Sequence, residues 1–545
     1  MVFFAFILTA CEEAPADEAA PAPEFALLTP EGGSFLAAGD TKAAGRALHL
    51  ESVTVGGVAA TVGEGRFSAT VPLTRGVNVV EAVGVDAGGD EHFVRNGVLA
   101  GDYDEAAGAV ESAVQVRVNQ GGLDEIGGVA SENLTPELLN DSLAAMNPVY
   151  SDSYAWDTVT IAADVDSITF DTTEFRFRPR DGALELEVEL PNLYVDIYAY
   201  GEAVGFDFDS DVAMWASAGV LSAEVYVTTL GGDLVVDVGE VTVELKDFGY
   251  DTSLLPGSIE DYLLVDTIRA TLEEMLVEKI QEMVPPLLDE TLAGLDPSYS
   301  TEMMGLTVDM AFSFADADID DDGLALALDM EIDVPEDGLH SAPGFLAAAK
   351  GTPDLDTQAD LSGAVSDDLL NRMLYEVWAG GLLDMRLSTD DGSLDPLMLL
   401  PLKASEGTIT LKSPLPPVVV ERDGQLQAQL GELLVEIDAP GSAVGDHLVA
   451  TVNAFVPLTV LAEEGELTLE LGDPEIVLMV RESSMGASDE ATTRLVEQAL
   501  PLDALLVLIG DFSFPLPELY GIAVDEGSAE RDPSGVHTAL EVSLR

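Results

Sequence analysis

The chain has one cysteine in 545 residues, so no disulfide can form within it. Basic residues are scarce: 22 Lys and Arg stand against 101 Asp and Glu, a formal charge of −79. A surface of that sign repels nucleic-acid phosphates, anionic lipid headgroups and endotoxin phosphates, which argues against nucleic acid and against endotoxin as partners. The five histidines (His49, His92, His340, His447, His537) are scattered singly. Nothing matches a zinc-binding His-Glu-x-x-His, a phosphate loop or a Gly-x-Ser-x-Gly elbow, and the lone thiol is not in a folded region. Carboxylate pairs are so common that none marks an acid/base dyad. The chain therefore reads as a binding protein, not an enzyme, with no required cofactor. Long apolar runs are missing too: beyond the first eleven residues nothing approaches the ~20 needed for a spanning helix.

What is present is apolar material in short, patterned pieces. Hydrophobic residues make up 47% of the chain, so the acidity belongs to the skin of a folded protein and not to a disordered one. The length calls for about three domains. The single cysteine closes the run Met1-Val2-Phe3-Phe4-Ala5-Phe6-Ile7-Leu8-Thr9-Ala10-Cys11. Leu8-Thr9-Ala10-Cys11 resembles a bacterial lipobox, which implies cleavage before Cys11 and a diacylglycerol on its thiol. No Lys or Arg precedes the apolar run, so a longer start upstream is expected. Residues 12–25 follow as an acidic Ala/Pro tether. Glu12, not Asp, follows the cysteine, which favours an outer-membrane over an inner-membrane anchor.

From 26 to 105 the text is period-2 strand chemistry. Val53-Thr54-Val55, Phe67-Ser68-Ala69-Thr70-Val71 and Val77-Asn78-Val79-Val80 are separated by glycine-rich turns. This order resembles the Ig-like β-sandwich repeats of bacterial surface proteins, modules that act as spacers.

Residues 108–545 mix strands with a few amphipathic helices. A first helix is expected over about 121–145, with Leu134-Thr135-Pro136-Glu137 supplying an N-cap and an N1 proline for its last part. Leu184, Leu186, Val188 and Leu190 alternate with Glu185, Glu187 and Glu189, so one face of that strand is buried and the other wet. The longest helix is expected to start near Ser258 and to kink or end at Pro285-Pro286; Leu272, Met275, Leu276 and Ile280 share one face. A further helix carries Leu370, Met373, Leu374 and Val377 on one face, capped by Ser366 and stopped by Gly380-Gly381. A last short helix is expected near 489–500. Phe175-Arg176-Phe177 with its Asp181-Gly182 turn has a counterpart in Phe312-Ser313-Phe314 with Asp322-Gly323, so the body reads as two similar units in tandem.

One metal pattern stands out. Asp318, Asp320, Asp322, Gly323 and Asp329 have the spacing of a Ca²⁺ loop. The same residues also read as a hairpin turn: Asp replaces the closing Glu, and Asp329 falls in an alternating strand.

Gly363-Ala364-Val365-Ser366-Asp367-Asp368-Leu369-Leu370-Asn371, Gly381-Leu382-Leu383-Asp384-Met385, Phe514-Pro515-Leu516-Pro517 and the strands from Glu189 to Gly201 carry a resemblance over about 108–545. Their order resembles the bactericidal/permeability-increasing protein family of tubular lipid-binding proteins. The resemblance implies an α+β, mostly β fold: after the Ig-like sandwich, a two-barrel boomerang. Each barrel is a twisted antiparallel sheet wrapped on amphipathic helices, with an apolar pocket for lipid tails. Residues 108–300 would form the first barrel and 301–545 the central sheet and second barrel. Pocket residues expected from the helix faces are Leu123, Ile126, Leu272, Met275, Leu276, Ile280, Leu370, Met373, Leu374 and Val377. Between Arg180 and Lys246 there is no Lys or Arg, unlike the tip of the family's endotoxin binders. The expected partner is a neutral lipid or another hydrophobic small molecule, with the membrane reached through the lipid on Cys11. The expectation is thus an envelope lipoprotein that sequesters or transfers lipid. Two alternatives are a structural or adhesive surface protein with filled barrels and a calcium-dependent module.

Overall fold

The computed structural model describes residues 24–154, 159–203, 205–251, 264–293, 299–303, 306–334, 340–442, 445–463, 466–484, 493, 513–515 and 524–544. Cys11, most of the tether, Ser258 and nearly all of the helix expected near 489–500 lie outside them. The fold is α+β and mostly β, 58% strand against 15% helix, built from curled half-barrel sheets.

Residues 24–100 form two packed sheets. One has four strands in the order Glu24–Thr29, Gly39–Leu48, Arg66–Leu73, Thr61–Gly63. The other has five, in the order Phe35–Leu36, Glu91–Ala100, Gly76–Asp86, Leu50–Val55, Val58–Ala59. Inward alternation puts Ala43, Ala47, Val53, Val55, Phe67 and Val98 in one shared core. This module is more than a spacer on a string. Val77 and Leu99 share a second core with Leu346, Leu415, Val418 and Val420 from much later in the sequence.

The body contains two large sheets. An eight-stranded one runs Tyr150–Tyr154, Val159–Thr169, Ala183–Ala203, Phe206–Leu230, Asp233–Val238, with Glu174–Arg180, Thr242–Lys246 and Gly249–Asp251 pairing alongside. The other has fifteen strands, and its path includes Gly323–Asp333, Val110–Asn119, Leu361–Ser366, His537–Leu544, His447–Glu463 and Gln425–Asp438. The strand Val110–Asn119 is thus enclosed by strands from much later in the chain, between Gly323–Asp333 and Leu361–Ser366. The paired hairpins of the internal repeat meet at their turns, where Gly182 N–H donates to the Ile319 carbonyl at 2.8 Å.

Four helices are described: α1 (Gln120–Asn133), α2 (Pro136–Met146), α3 (Leu264–Ala293) and α4 (Asp367–Ala379). The expected single helix over 121–145 is two, because Pro136 cannot supply an amide to a continuing ladder. Thr135 caps the second, accepting from Leu138 N–H at 3.4 Å. Of the kink or end expected at Pro285-Pro286, the end does not occur: α3 runs through both prolines to Ala293. Val284, Leu288 and Leu292 on either side of the prolines are all buried, so packing of that face outweighs the two missing amide donors. The α4 cap is as expected: Ser366 Oγ accepts from Leu369 N–H at 3.2 Å.

Candidate functional site

The alternating strand chemistry sets the site's floor. Leu184, Leu186, Val188 and Leu190 are buried, while Glu187 on the opposite face pairs with Arg176 at 2.8 Å. Farther along the same strand Leu193, Val195 and Ile197 continue the inward row, and Met214 and Ala216 face inward from the next strand. A twisted antiparallel sheet of this kind curls, and its concave side needs a cover.

The cover is α3, whose Leu272, Met275, Leu276, Ile280, Val284, Leu288 and Leu292 recur at helical spacing and are all buried. Leu123 and Ile126 of α1 and Leu139 and Leu143 of α2 join the same core. Each such side chain, fully buried, contributes about 1.5–3 kcal/mol relative to exposure.

Between α3 and the sheet lies a cavity of about 20 Å³ lined by Ile168, Leu193, Val195, Met214, Ala216, Leu245, Phe248, Leu272, Glu273 and Leu276, with Trp215 beside them. That is room for about one water molecule, and its lining is almost wholly apolar. At the rim Arg269 Nε donates to Glu273 Oε1 at 2.8 Å, and the same guanidinium sits 5.2 Å from the Phe248 ring centre. Charge and aromatic face thus meet at the edge of an apolar seam.

Of the residues expected from helix faces, Leu272 and Leu276 line this cavity. Met275, Ile280, Leu123 and Ile126 pack into the surrounding core and do not line it. Leu370 and Met373 belong to a different core with Val110, Met330 and Ile332, where Leu374 packs against them; Val377 is buried nearby on α4. Sequence reading missed the sheet half of the site: Ile168, Leu193, Val195, Met214 and Phe248. Their alternation was visible, but the strand facing α3 depends on register.

The two helices are held differently. Polar side chains fasten α4 to its surroundings. Asn371 Nδ2 donates to the Val419 carbonyl at 3.1 Å while its Oδ1 accepts from Val419 N–H at 2.6 Å. Trp378 Nε1 donates to the Ser413 carbonyl at 2.7 Å, and Arg372 Nη2 donates to the Ile332 carbonyl at 3.3 Å. Displacing α4 would strand those groups. The face of α3 that meets the sheet is packed through Leu, Met, Ile and Val side chains.

The structure does not bring the four Asp residues of the calcium pattern together. Asp318 stands opposite Ala325 and Asp329 opposite Ser313, so four residues of strand, about 13 Å at ~3.3 Å per residue, separate their levels. Asp320 accepts from Arg117 and from the amides of Asp322 and Gly323, and Asp329 accepts from Ser112 N–H at 2.7 Å. These are turn and strand contacts. Among the described residues the cluster of metal-ligating side chains lies elsewhere, at Glu436, Asp438 and His447.

No family model and no curated protein matches this chain. Among solved structures, a lipopolysaccharide binding protein aligns over 80% of this chain and 99% of its own, at 14% identity and a TM-score of 0.46. P47 of Clostridium botulinum E1 aligns over 80% and 100%, at 9% identity and a TM-score of 0.28. Neither likeness assigns a family. Function is therefore argued from the site.

Proposed function

We propose that this chain binds an apolar ligand, of the lipid-tail kind, between α3 and the curled sheet of residues 150–251, and that it serves to sequester or transfer it. The observation that carries the reading is the seam itself. One face of α3, apolar from Leu272 to Leu292, covers the concave side of a sheet and leaves an apolar-lined cavity at Leu272 and Leu276. Ligand pockets for small molecules are typically ~300–1,000 Å³. The cavity of about 20 Å³ is therefore a seed, and binding requires α3 to lift from the sheet. The exchange replaces apolar contacts with apolar contacts, and Met214, Met275 and Met283 can re-pack around an irregular guest. With a net charge of −79 the favoured ligand is neutral. The reading includes a lipid anchor on Cys11 that keeps the protein at the bacterial envelope, on the outer membrane, and a binding role instead of a catalytic one.

The small size of the cavity favours a second reading, a structural or adhesive surface protein whose barrels are simply filled. One experiment separates the two. The protein, purified without detergent, is extracted and its lipids are weighed against protein by mass spectrometry, and uptake of a fluorescent neutral-lipid analogue is followed in parallel. Stoichiometric lipid or saturable uptake is expected. If neither is found, the filled-barrel reading takes its place.

A further inference from the structure

His447 is one of five histidines in a chain with 101 carboxylates, and in sequence it has no partner motif. The fold gives it one. The strands Gln425–Asp438 and His447–Glu463 are antiparallel neighbours, with His447 directly opposite Asp438 and Val449 opposite Glu436. Val435, Ile437, Leu448 and Ala450 take the buried face of this pair. The intervening positions 436, 438 and 447 therefore share the other face. One ligand atom from each of Glu436, Asp438 and His447 lies within 4.8 Å of the other two, and His447 Nδ1 is already 2.8 Å from Asp438 Oδ1.

We infer that Glu436, Asp438 and His447 form a binding site for a borderline divalent transition metal, with zinc the best fit. Acidic clusters alone are everywhere on this surface and imply nothing. The imidazole nitrogen is what distinguishes this one. Calcium and magnesium take oxygen ligands, whereas a mixed set of one imidazole and two carboxylates suits zinc and its neighbours. Zinc holds such ligands at about 2.0–2.2 Å, so donor atoms around it stand roughly 3–4 Å apart. The three side chains need only small rotations to reach that spacing.

The backbone is fixed for the purpose. Both strands lie inside the fifteen-stranded sheet, with Thr408 and Thr410 of the next strand opposite Asp438 and Glu436. On the other side Ser484 Oγ accepts from His447 N–H at 2.9 Å and lies 3.0 Å from Asp446 Oδ1, which sets the start of the histidine's strand. Glu482, opposite Val449, adds a further negative charge beside the imidazole. Three protein ligands leave at least one position on the ion for water. The site is separate from the apolar seam under α3 and does not depend on it.

The test uses the full chain, freed of metal by chelator and dialysis. Zinc is titrated calorimetrically, and cobalt is titrated by visible absorption, which reports a nitrogen ligand and low coordination number. Wild type is compared with His447→Gln, Glu436→Gln and the control His92→Gln, whose histidine faces Asp86 at 3.3 Å and belongs to no such cluster among the described residues. A single site is expected in wild type and in His92→Gln, weakened by at least ~10-fold in His447→Gln and in Glu436→Gln. Thermal melts of each variant establish that it is folded, and a zinc-dependent rise in Tm should vanish with the site. Equal binding in all four proteins, or many weak equivalents with an oxygen-only cobalt spectrum, would mean diffuse capture by the acidic surface and would overturn the assignment. Absence of zinc binding in wild type would reduce the cluster to a hydrogen-bonded His–Asp pair.

Discussion

Arg481 Nη2 stands 2.7 Å from Glu432 Oε1, while the other oxygen of that carboxylate accepts from Gly97 N–H at 2.6 Å. One buried carboxylate thus joins the second sheet to the N-terminal sandwich. Arg481 also donates to the Arg95 carbonyl at 2.8 Å, and Arg95 returns a bond to the Leu478 carbonyl at 2.9 Å. Burial pushes the Glu432 carboxyl above its ordinary pKa, and the attraction of Arg481 only partly offsets it. Removing Arg481 therefore leaves a desolvated charge, and Arg481→Ala should cost about 3–5 kcal/mol. Glu432→Gln keeps most hydrogen-bonding capacity and should cost about 1–2 kcal/mol.

The raised Glu432 pKa also sets a pH dependence. A carboxyl that titrates higher in the folded state than in the unfolded one destabilises the fold when ionised. That penalty is present at neutral pH and is relieved as pH falls through the folded pKa toward the unfolded value of about 4.3. Wild type should therefore gain more in Tm than Glu432→Gln does as pH falls from 7 to the unfolded value of about 4.3. Equal gains, with only the general relief of acidic repulsion in both, would refute the assignment.

Gly97 is the sandwich's side of the same contact. A methyl group there would stand 2.1 Å from Asn453 Oδ1 and 2.9 Å from Glu432 Oε2. Gly97→Ala should therefore force the modules apart locally, at about 1–3 kcal/mol. Limited proteolysis should find new cleavage where the sandwich meets the second sheet, whereas Gly63→Ala, with no neighbour within 4 Å, should leave the interface intact.

Such contacts show what could be read from the sequence and what could not. The Leu184–Leu190 alternation, the Ser366 cap and the Thr135-Pro136 start are local patterns, and each appears in the structure as expected. The seam of α3 was legible for the same reason. Glu432 was not, because its role depends on a β-bulge. Pairing shifts between Leu430 and Leu433, Glu432 takes φ 51°, and Leu430, Gly431, Glu432 and Leu433 are all buried in succession. The bulge turns a strand carboxylate toward a glycine 335 residues away, a separation no periodicity reports. His447 and Asp438 are likewise joined by register alone. The calcium spacing is the opposite case, local in sequence but spread along two extended strands in the structure.

The Asp320–Arg117 pair gives a second pH test, of opposite sign. Hydrogen bonding by Arg117, helped by the Asp322 and Gly323 amides, holds the Asp320 carboxyl below its ordinary pKa. A depressed carboxyl stabilises the fold above the unfolded pKa of about 3.9, and that contribution is lost as pH falls through the folded value. Asp320→Asn should lower Tm at pH 6 relative to wild type, and the two curves should converge in acid once pH has fallen through the folded value. The effect is modest because the carboxylate is 46% exposed. Curves that stay parallel into strong acid would show that Asp320 acts through the turn's shape and not through charge.

The apolar seam makes the sharpest demand. Leu276 is 4% exposed and lines the cavity, so Leu276→Ala enlarges it and should cost about 2–5 kcal/mol. Ala216→Val approaches the same space from the sheet side and fills it, at a cost of up to about 3 kcal/mol. If ligand enters between α3 and the sheet, the two variants must diverge: the first should take up fluorescent neutral lipid faster than wild type, the second more slowly. Stability alone does not produce that result, because both substitutions destabilise. Uptake that simply tracks loss of Tm in both would mean that the dye reads unfolding, and the seam would then be core and nothing more.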